Sequence, residues 1–212
     1  MTEIEDRRKA FLEIFEKAER KYGSSAKRLA AEGWDADWKM LLVTICSAQN
    51  RDEVTIPVME KFFEKFDSLE KIAWAHVEAI KRGIQSINYC ENKAKYLKES
   101  ARILLEKFNG QVPDKIEELV ELPGVGRKTA NLVLSVIHKQ DTICVDTHVH
   151  RLMNVLGIVK TENPSQTEVE LMKIAPKKYW SRINRIFVLW GKDVPGHDKE
   201  RLMKKLEEKI IC

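Results

Sequence analysis

In the segment KYLKESARILLEKF the apolar residues Leu97, Ala101, Leu104 and Phe108 recur at steps of 4, 3 and 4. That spacing lines one face of a helix, and Asn109-Gly110 ends it. Leu119, Val120 and Leu122 close a second helical stretch, and Arg127 to Val136 reads as a third, with Ala130, Leu132, Val133, Leu134 and Val136 on its apolar side. Asn50-x-x-Glu53 and Ser165-x-x-Glu168 have the form of capping boxes. Pro57 falls inside DEVTIPVMEKFF, so that helix either starts late or is kinked. The run TICV at 142–145 is the best strand candidate, but it is isolated and is read as an extended connector. Glycine and proline are few and fall mainly between periodic segments. The pattern predicts about ten to twelve helices joined by short loops, and an all-α fold class.

Composition narrows the class. A chain of 212 residues makes one large domain or two small ones. No apolar run approaches the roughly 20 residues of a membrane span. The opening MTEIEDRRKA is charged from its third residue, with no apolar signal region behind it. The expectation is a soluble, cytoplasmic protein with no membrane partner. The four cysteines, Cys46, Cys90, Cys144 and Cys212, show no C-x-x-C pair, so neither a zinc knuckle nor a redox pair is signalled. Cys46 and Cys144 lie in apolar runs and read as small buried hydrophobes. The net charge of +4 is too modest to announce a nucleic-acid partner by itself. Its distribution says more: Leu171 to Lys192 holds six basic residues and no acid, with Tyr179 and Trp180 among them. Such a run is either a solvated basic face or a phosphate-binding surface.

The most informative stretch is EELVELPGVGRKTANLVLSV, residues 117–136. Pro123-Gly124-Val125-Gly126 makes a tight hairpin in which glycine permits positive φ and close backbone approach. No Ser, Thr, Asp or Asn immediately precedes the helix at Arg127, so its first amides lack an obvious side-chain cap. A phosphate could supply the acceptors, with Arg127 and Lys128 beside it. An ordinary packing corner would look similar. Further along comes Cys144-Val145-Asp146-Thr147-His148-Val149-His150-Arg151, where an extended segment meets a new helix running to about Leu156. Taken singly, Asp146 is most simply an N-cap and Lys128 a solvated lysine. The pair reads differently. The helix dipole and Arg127 both disfavour the ammonium of Lys128, which suits a neutral nucleophile, and a carboxylate can stabilise a cationic sugar or move protons.

LPGVGRKTAN followed by VDTHVHR resembles the helix-hairpin-helix DNA glycosylases, and most closely the endonuclease III family. Ser47-Ala48-Gln49-Asn50-Arg51-Asp52 is similar to that family's SAQ-x-x-D segment, and Asn92-Lys93-Ala94 followed by ARILLEKFNGQVP to the helix before its hairpin. The resemblance covers about residues 37–192. It implies two helical domains, residues 30–140 and residues 1–29 with 141–212, with a DNA-binding cleft between them. It implies Lys128 as Schiff-base nucleophile and Asp146 as its carboxylate partner. It further implies Gly124, Val125 and Gly126 on the DNA backbone, and Gln49 in the space left by an extruded base. Arg127, His148 and Arg151 beside these motifs are taken as further DNA contacts. The implied reaction is base excision followed by β-elimination, carried out by a monomer on damaged double-stranded DNA, with oxidised pyrimidines as the leading substrates.

Two departures stand out. The family commonly ends in four cysteines, C-x6-C-x2-C-x5-C, around a [4Fe–4S] cluster. Here the first ligand position reads Pro195 in GKDVPGHDKE, and Cys212 is the only later cysteine, so no iron–sulfur cluster and no other metal is expected. The basic cluster loop goes with it, and Lys177, Lys178 and Arg182 are the candidate replacements for its phosphate contacts. At Ile87-Asn88-Tyr89-Cys90 the family more often has a Gly-Leu-Tyr-like wedge, and Tyr89 could stack where Leu would wedge. A monofunctional glycosylase for mismatched or alkylated bases has no need of Lys128, and a non-catalytic DNA-binding module has no need of Asp146.

Overall fold

The computed structural model describes residues 2–208. In chain order the helices are α1 (Glu3–Tyr22), α2 (Asp37–Ser47), α3 (Asp52–Lys65), α4 (Leu69–Ala73), α5 (Val77–Gly83), α6 (Cys90–Phe108) and α7 (Ile116–Leu119). There follow α8 (Arg127–Val136), α9 (Thr147–Val155), α10 (Pro164–Ile174), a 3-10 turn at Lys177–Tyr179, α11 (Trp180–Asp193) and α12 (Lys199–Glu207). No strand forms among the described residues, and 142–145 is an irregular connector. None of the described helices is long and apolar enough to cross a membrane. The chain forms two compact units. One is Arg28–His138; the other joins the residues up to Lys27 to those from Lys139 onward.

Within residues 28–138, α2 is the central rod. Met40 to Cys46 are buried without interruption, as expected of a helix that is hydrophobic all round. Helices α3, α6 and α8 pack on it. The periodic face of α6 faces this core through Leu97, Ala101 and Leu104, all fully buried, with Phe108 partly buried against it. Trp34, Trp38, Phe62, Phe63 and Phe66 form a stacked and edge-on aromatic cluster at one end. Val120 departs from the expected pattern: it is the C-cap of α7 and lies exposed, while its neighbours Leu119 and Leu122 are buried.

The other unit is built on α11. Ile183, Ile186, Phe187, Leu189 and Trp190 are buried, and Phe187 meets Phe11 and Phe15 of α1 and its own neighbour Trp190. Helix α9 crosses α11 at Gly191. A Cβ built there would come within 2.7 Å of His148 Nδ1 and 2.9 Å of His148 Cβ, so only glycine allows this approach.

Both predicted capping boxes are corrected. Helix α3 has Arg51 as N-cap with no side-chain bond, because the Asn50 carboxamide goes instead to Thr55 Oγ1 at 2.9 Å. Helix α10 starts after Asn163, whose side chain accepts from the Gln166 amide, with Pro164 in the first turn, so Ser165 is already helical. Pro57 is tolerated inside α3.

Candidate DNA-processing site

The hairpin belongs to the 28–138 unit, and local sequence accounts for its shape. Gly124 adopts φ +83°, and a Cβ there would collide with Tyr96 Cδ2 at 2.8 Å and Ile45 Cγ2 at 2.9 Å. Val125 turns inward and is buried, and its amide donates to the Leu122 carbonyl at 3.0 Å. Ser100 Oγ donates to the Pro123 carbonyl at 3.1 Å, tying the hairpin to α6. Gly126 is the N-cap of α8 and supplies no side-chain acceptor, and no acidic residue stands in the first turn. A Cβ at Gly126 would meet nothing within 4 Å, so the hairpin tip is open. A helix start with no side-chain acceptor at its N-cap is the kind of terminus that suits an anion. Arg127 and Lys128 lie exposed in that first turn.

In the same unit, Gln49 follows the end of α2 and Tyr89 precedes α6. Both are exposed and both have left-handed backbones, φ +54° and +59°. That conformation is uncommon for residues other than glycine, and nothing in the local sequence announces it.

In the other unit, Asp146 is the N-cap of α9, and its Oδ1 accepts the Val149 amide at 2.8 Å. Its carboxylate thus has a structural bond and a place at the start of a helix at once. His148, in the first turn of α9, is half-buried. Burial chiefly holds its imidazole below the usual histidine range, with Arg151 and Lys192 acting in the same direction and Asp146 opposing them. Arg151, expected on DNA, has a different engagement. Its guanidinium donates to the Gly191 carbonyl at 2.8 Å, to Val194 at 3.2 Å and to Gly196. It fastens the segment after α11 to α9.

That segment bears on the cluster question. Pro195 and Gly196 lead into α12, which Asp198 caps and Leu202 anchors in the core. Cys46 and Cys90 lie in one unit and Cys144 in the other, and none of the three is in a disulfide. Among the described residues no three His, Cys, Asp or Glu side chains are grouped to hold a metal ion. Cys212 lies outside the described residues. Among the described residues there are three thiols, one fewer than a four-thiolate cluster takes.

The basic run is less bare than its sequence. Arg182 pairs with Glu19 of α1 and lies 5.1 Å from the Tyr179 ring. Lys173 pairs with Glu170 at 2.5 Å, and Arg185 donates to the Ser25 carbonyl at 2.8 Å. Lys177 and Lys178 ride over Trp180 and Tyr179 at 5.8 and 4.9 Å.

Comparison with known proteins gives this geometry a context. The model of the HhH-GPD superfamily base excision DNA repair protein matches residues 42–177. Endonuclease III of Thermotoga maritima is 43% identical over 157 residues, 74% of either chain. Endonuclease III of Bacillus subtilis is 36% identical over 157 residues, 73% of this chain and 71% of its own. A solved structure of a trapped endonuclease III–DNA covalent intermediate superposes with TM-score 0.82 at 30% identity, covering 88% of this chain and 86% of that one. With the model matching well over half of its length and relatives this similar, the chain belongs to the HhH-GPD superfamily of base excision DNA repair proteins.

Proposed function

We propose that the chain excises oxidised pyrimidines from double-stranded DNA through a Schiff base on Lys128 and then cuts the strand by β-elimination. Its class is that of a bifunctional DNA glycosylase and apurinic/apyrimidinic lyase of base excision repair. In this reading the target base must leave the stack, because a stacked base shields its own C1′. The Lys128 Nζ lone pair attacks C1′, and the C1′–N bond breaks, its electrons and a proton leaving with the base. The sugar ring opens as C1′–O4′ breaks and O4′ takes a proton, giving an imine. That imine acidifies C2′; loss of the C2′ proton pushes electrons toward C3′ and expels the 3′ phosphate. Asp146 stabilises the developing positive charge and relays protons. Gly124, Val125 and Gly126 offer backbone amides to a phosphate, and Gln49 and Tyr89 enter the duplex. The enzyme works as a monomer on chromosomal DNA in the cytoplasm.

The observation that carries this reading is a helix start whose N-cap, Gly126, offers no side-chain acceptor, with a lysine in its first turn, in a chain whose relatives are endonuclease III. The similar solved structure is itself a trapped covalent DNA intermediate. A hydrolytic glycosylase or a simple binding module would not need that lysine. Incubation with a thymine glycol duplex under borohydride tests it. Reduction of the imine leaves a stable protein–DNA adduct, and complete excision with no adduct would favour hydrolysis.

The chain is proposed to work without an iron–sulfur cluster. The purified protein is expected to be colourless, lacking the broad absorbance near about 400 nm of a [4Fe–4S] centre, and free of stoichiometric iron. Iron with acid-labile sulfide at one cluster per chain would refute this.

Lys177, Lys178 and Arg182 are proposed to replace the phosphate contacts of a cluster loop. Replacing all three with alanine should weaken binding to every sequence alike, and lower the salt slope by about 0.9 for each true contact. Lesion preference should not move, because phosphate contacts position while base contacts specify. Superimposable salt plots for wild type and the triple variant would make the run a solvated face.

A further inference from the structure

Gln49 and Tyr89 lie 40 positions apart in the chain, yet they share one brace. Asn88, the residue before Tyr89, donates from Nδ2 to the carbonyl of Gln49 at 2.8 Å. The Asn88 amide meets Asn50 Oδ1, the residue after Gln49, at 3.4 Å. The other end of the Asn50 carboxamide is fixed on buried Thr55 of α3 at 2.9 Å. Beneath them Lys93 is 5% exposed. From the first turn of α6 its ammonium reaches the C-terminal carbonyls of α2, Cys46 at 2.8 Å and Ala48 at 2.6 Å. The last turn of α2 and the first turn of α6 are thus locked together, and Ile87 pins the second loop from inside. Two residues with unfavourable left-handed backbones sit on this platform with their side chains left to solvent. Such backbones persist only where the surroundings over-determine them, and they cluster at sites of function.

We propose that Asn88 is a positioning residue that couples Gln49 and Tyr89 into one rigid two-pronged element, so that both enter the duplex in a single event. The inference rests on the reading above, that these two side chains enter DNA. Its physical content is preorganisation. A prong held in its inserted geometry loses less freedom on binding, and a loose one inserts less often. Extrusion of an intact base then suffers more than chemistry at a site whose base is already gone.

The test uses Asn88→Ala and the near-isosteric Asn88→Asp, which cannot donate to the Gln49 carbonyl. Position 88 is exposed, so both variants should fold. Excision from a thymine glycol duplex under single turnover is expected to fall about tenfold in each. Strand cleavage at a preformed abasic site should fall less than about threefold, because no base has to be extruded there. A 2-aminopurine placed opposite a tetrahydrofuran abasic analogue reports insertion directly. Its fluorescence change on binding should shrink by half or more in the Asn88 variants. Against a Gln49→Ala background, Asn88→Ala should cost less than about twofold further, since neighbours in one network are non-additive. Wild-type excision and fluorescence in Asn88→Ala, with Gln49→Ala and Tyr89→Ala impaired, would overturn the coupling. So would an undiminished Asn88→Ala loss in the Gln49→Ala background, which marks a general packing role. If Gln49→Ala and Tyr89→Ala both behave as wild type, the reading that they enter DNA fails, and the coupling falls with it.

Discussion

Lys128→Gln is expected to abolish both borohydride trapping and strand cleavage while leaving affinity for an abasic-analogue duplex within a few-fold of wild type. The separation follows from what each part of the hairpin supplies. In the proposed mechanism the nucleophile is the side chain of Lys128, which stands in the first turn of α8. The backbone at Gly124 and Gly126 supplies amides that a side-chain change at position 128 does not remove. Glutamine keeps much of the length of lysine but has no basic nitrogen, so no imine forms. The loss should exceed about 10³-fold, because the covalent route loses its only nucleophile. Gel-resolved adduct yield and equilibrium binding, measured on the same preparations, decide the matter. Undiminished trapping in Lys128→Gln would move the nucleophile to another amine.

Asp146→Asn is the second large effect, and it separates the helix cap that the structure shows from the catalytic role proposed for the same carboxylate. Asn caps helices about as well as Asp, so the bond to the Val149 amide can persist and thermal stability should be nearly unchanged. Asp146→Ala removes that bond and should cost about 1 kcal/mol. Excision should fall about 10²-fold or more in both, as for loss of an electrostatic or proton-moving group. Single-turnover excision and thermal melting of the two variants form the comparison. A normal excision rate in Asp146→Asn would leave Asp146 with the cap alone.

The helical class and the course of α6, α8 and the segment before α9 were legible, because their periodic faces and the P-G-V-G turn are local signals. The caps were less so. The Asn50 carboxamide is drawn away from the capping amides of α3 by Thr55 and Asn88, one nearby and one distant in sequence. For α10 the sequence did hold the better signal: Asn163, then Pro164, then Gln166 where a capping box puts its return partner. Charge was the hardest to read. The run from Leu171 to Lys192 contains no acid, yet Glu19 reaches Arg182 from a helix more than 160 positions earlier. Arg151 stands in a motif that invites a phosphate contact, but three carbonyls of the chain take its guanidinium. The left-handed backbones of Gln49 and Tyr89 were invisible for the same reason: distant contacts enforce them against local preference. Gly191 could have been suspected only as a glycine inside the last turn of an amphipathic helix, a position that costs stability unless something must come close.

The burial of Cys46 and Cys144 bears on the conditions under which a base excision repair protein must work. Peroxide attacks the thiolate, and a thiol with no access to solvent is attacked slowly. Cys46 is fully enclosed, and burial pushes its thiol up to about 12. Cys144 is 2% exposed on the approach to Asp146. Oxidants that damage DNA therefore find little to modify at these two positions, and the need for repair can rise without inactivating the protein there.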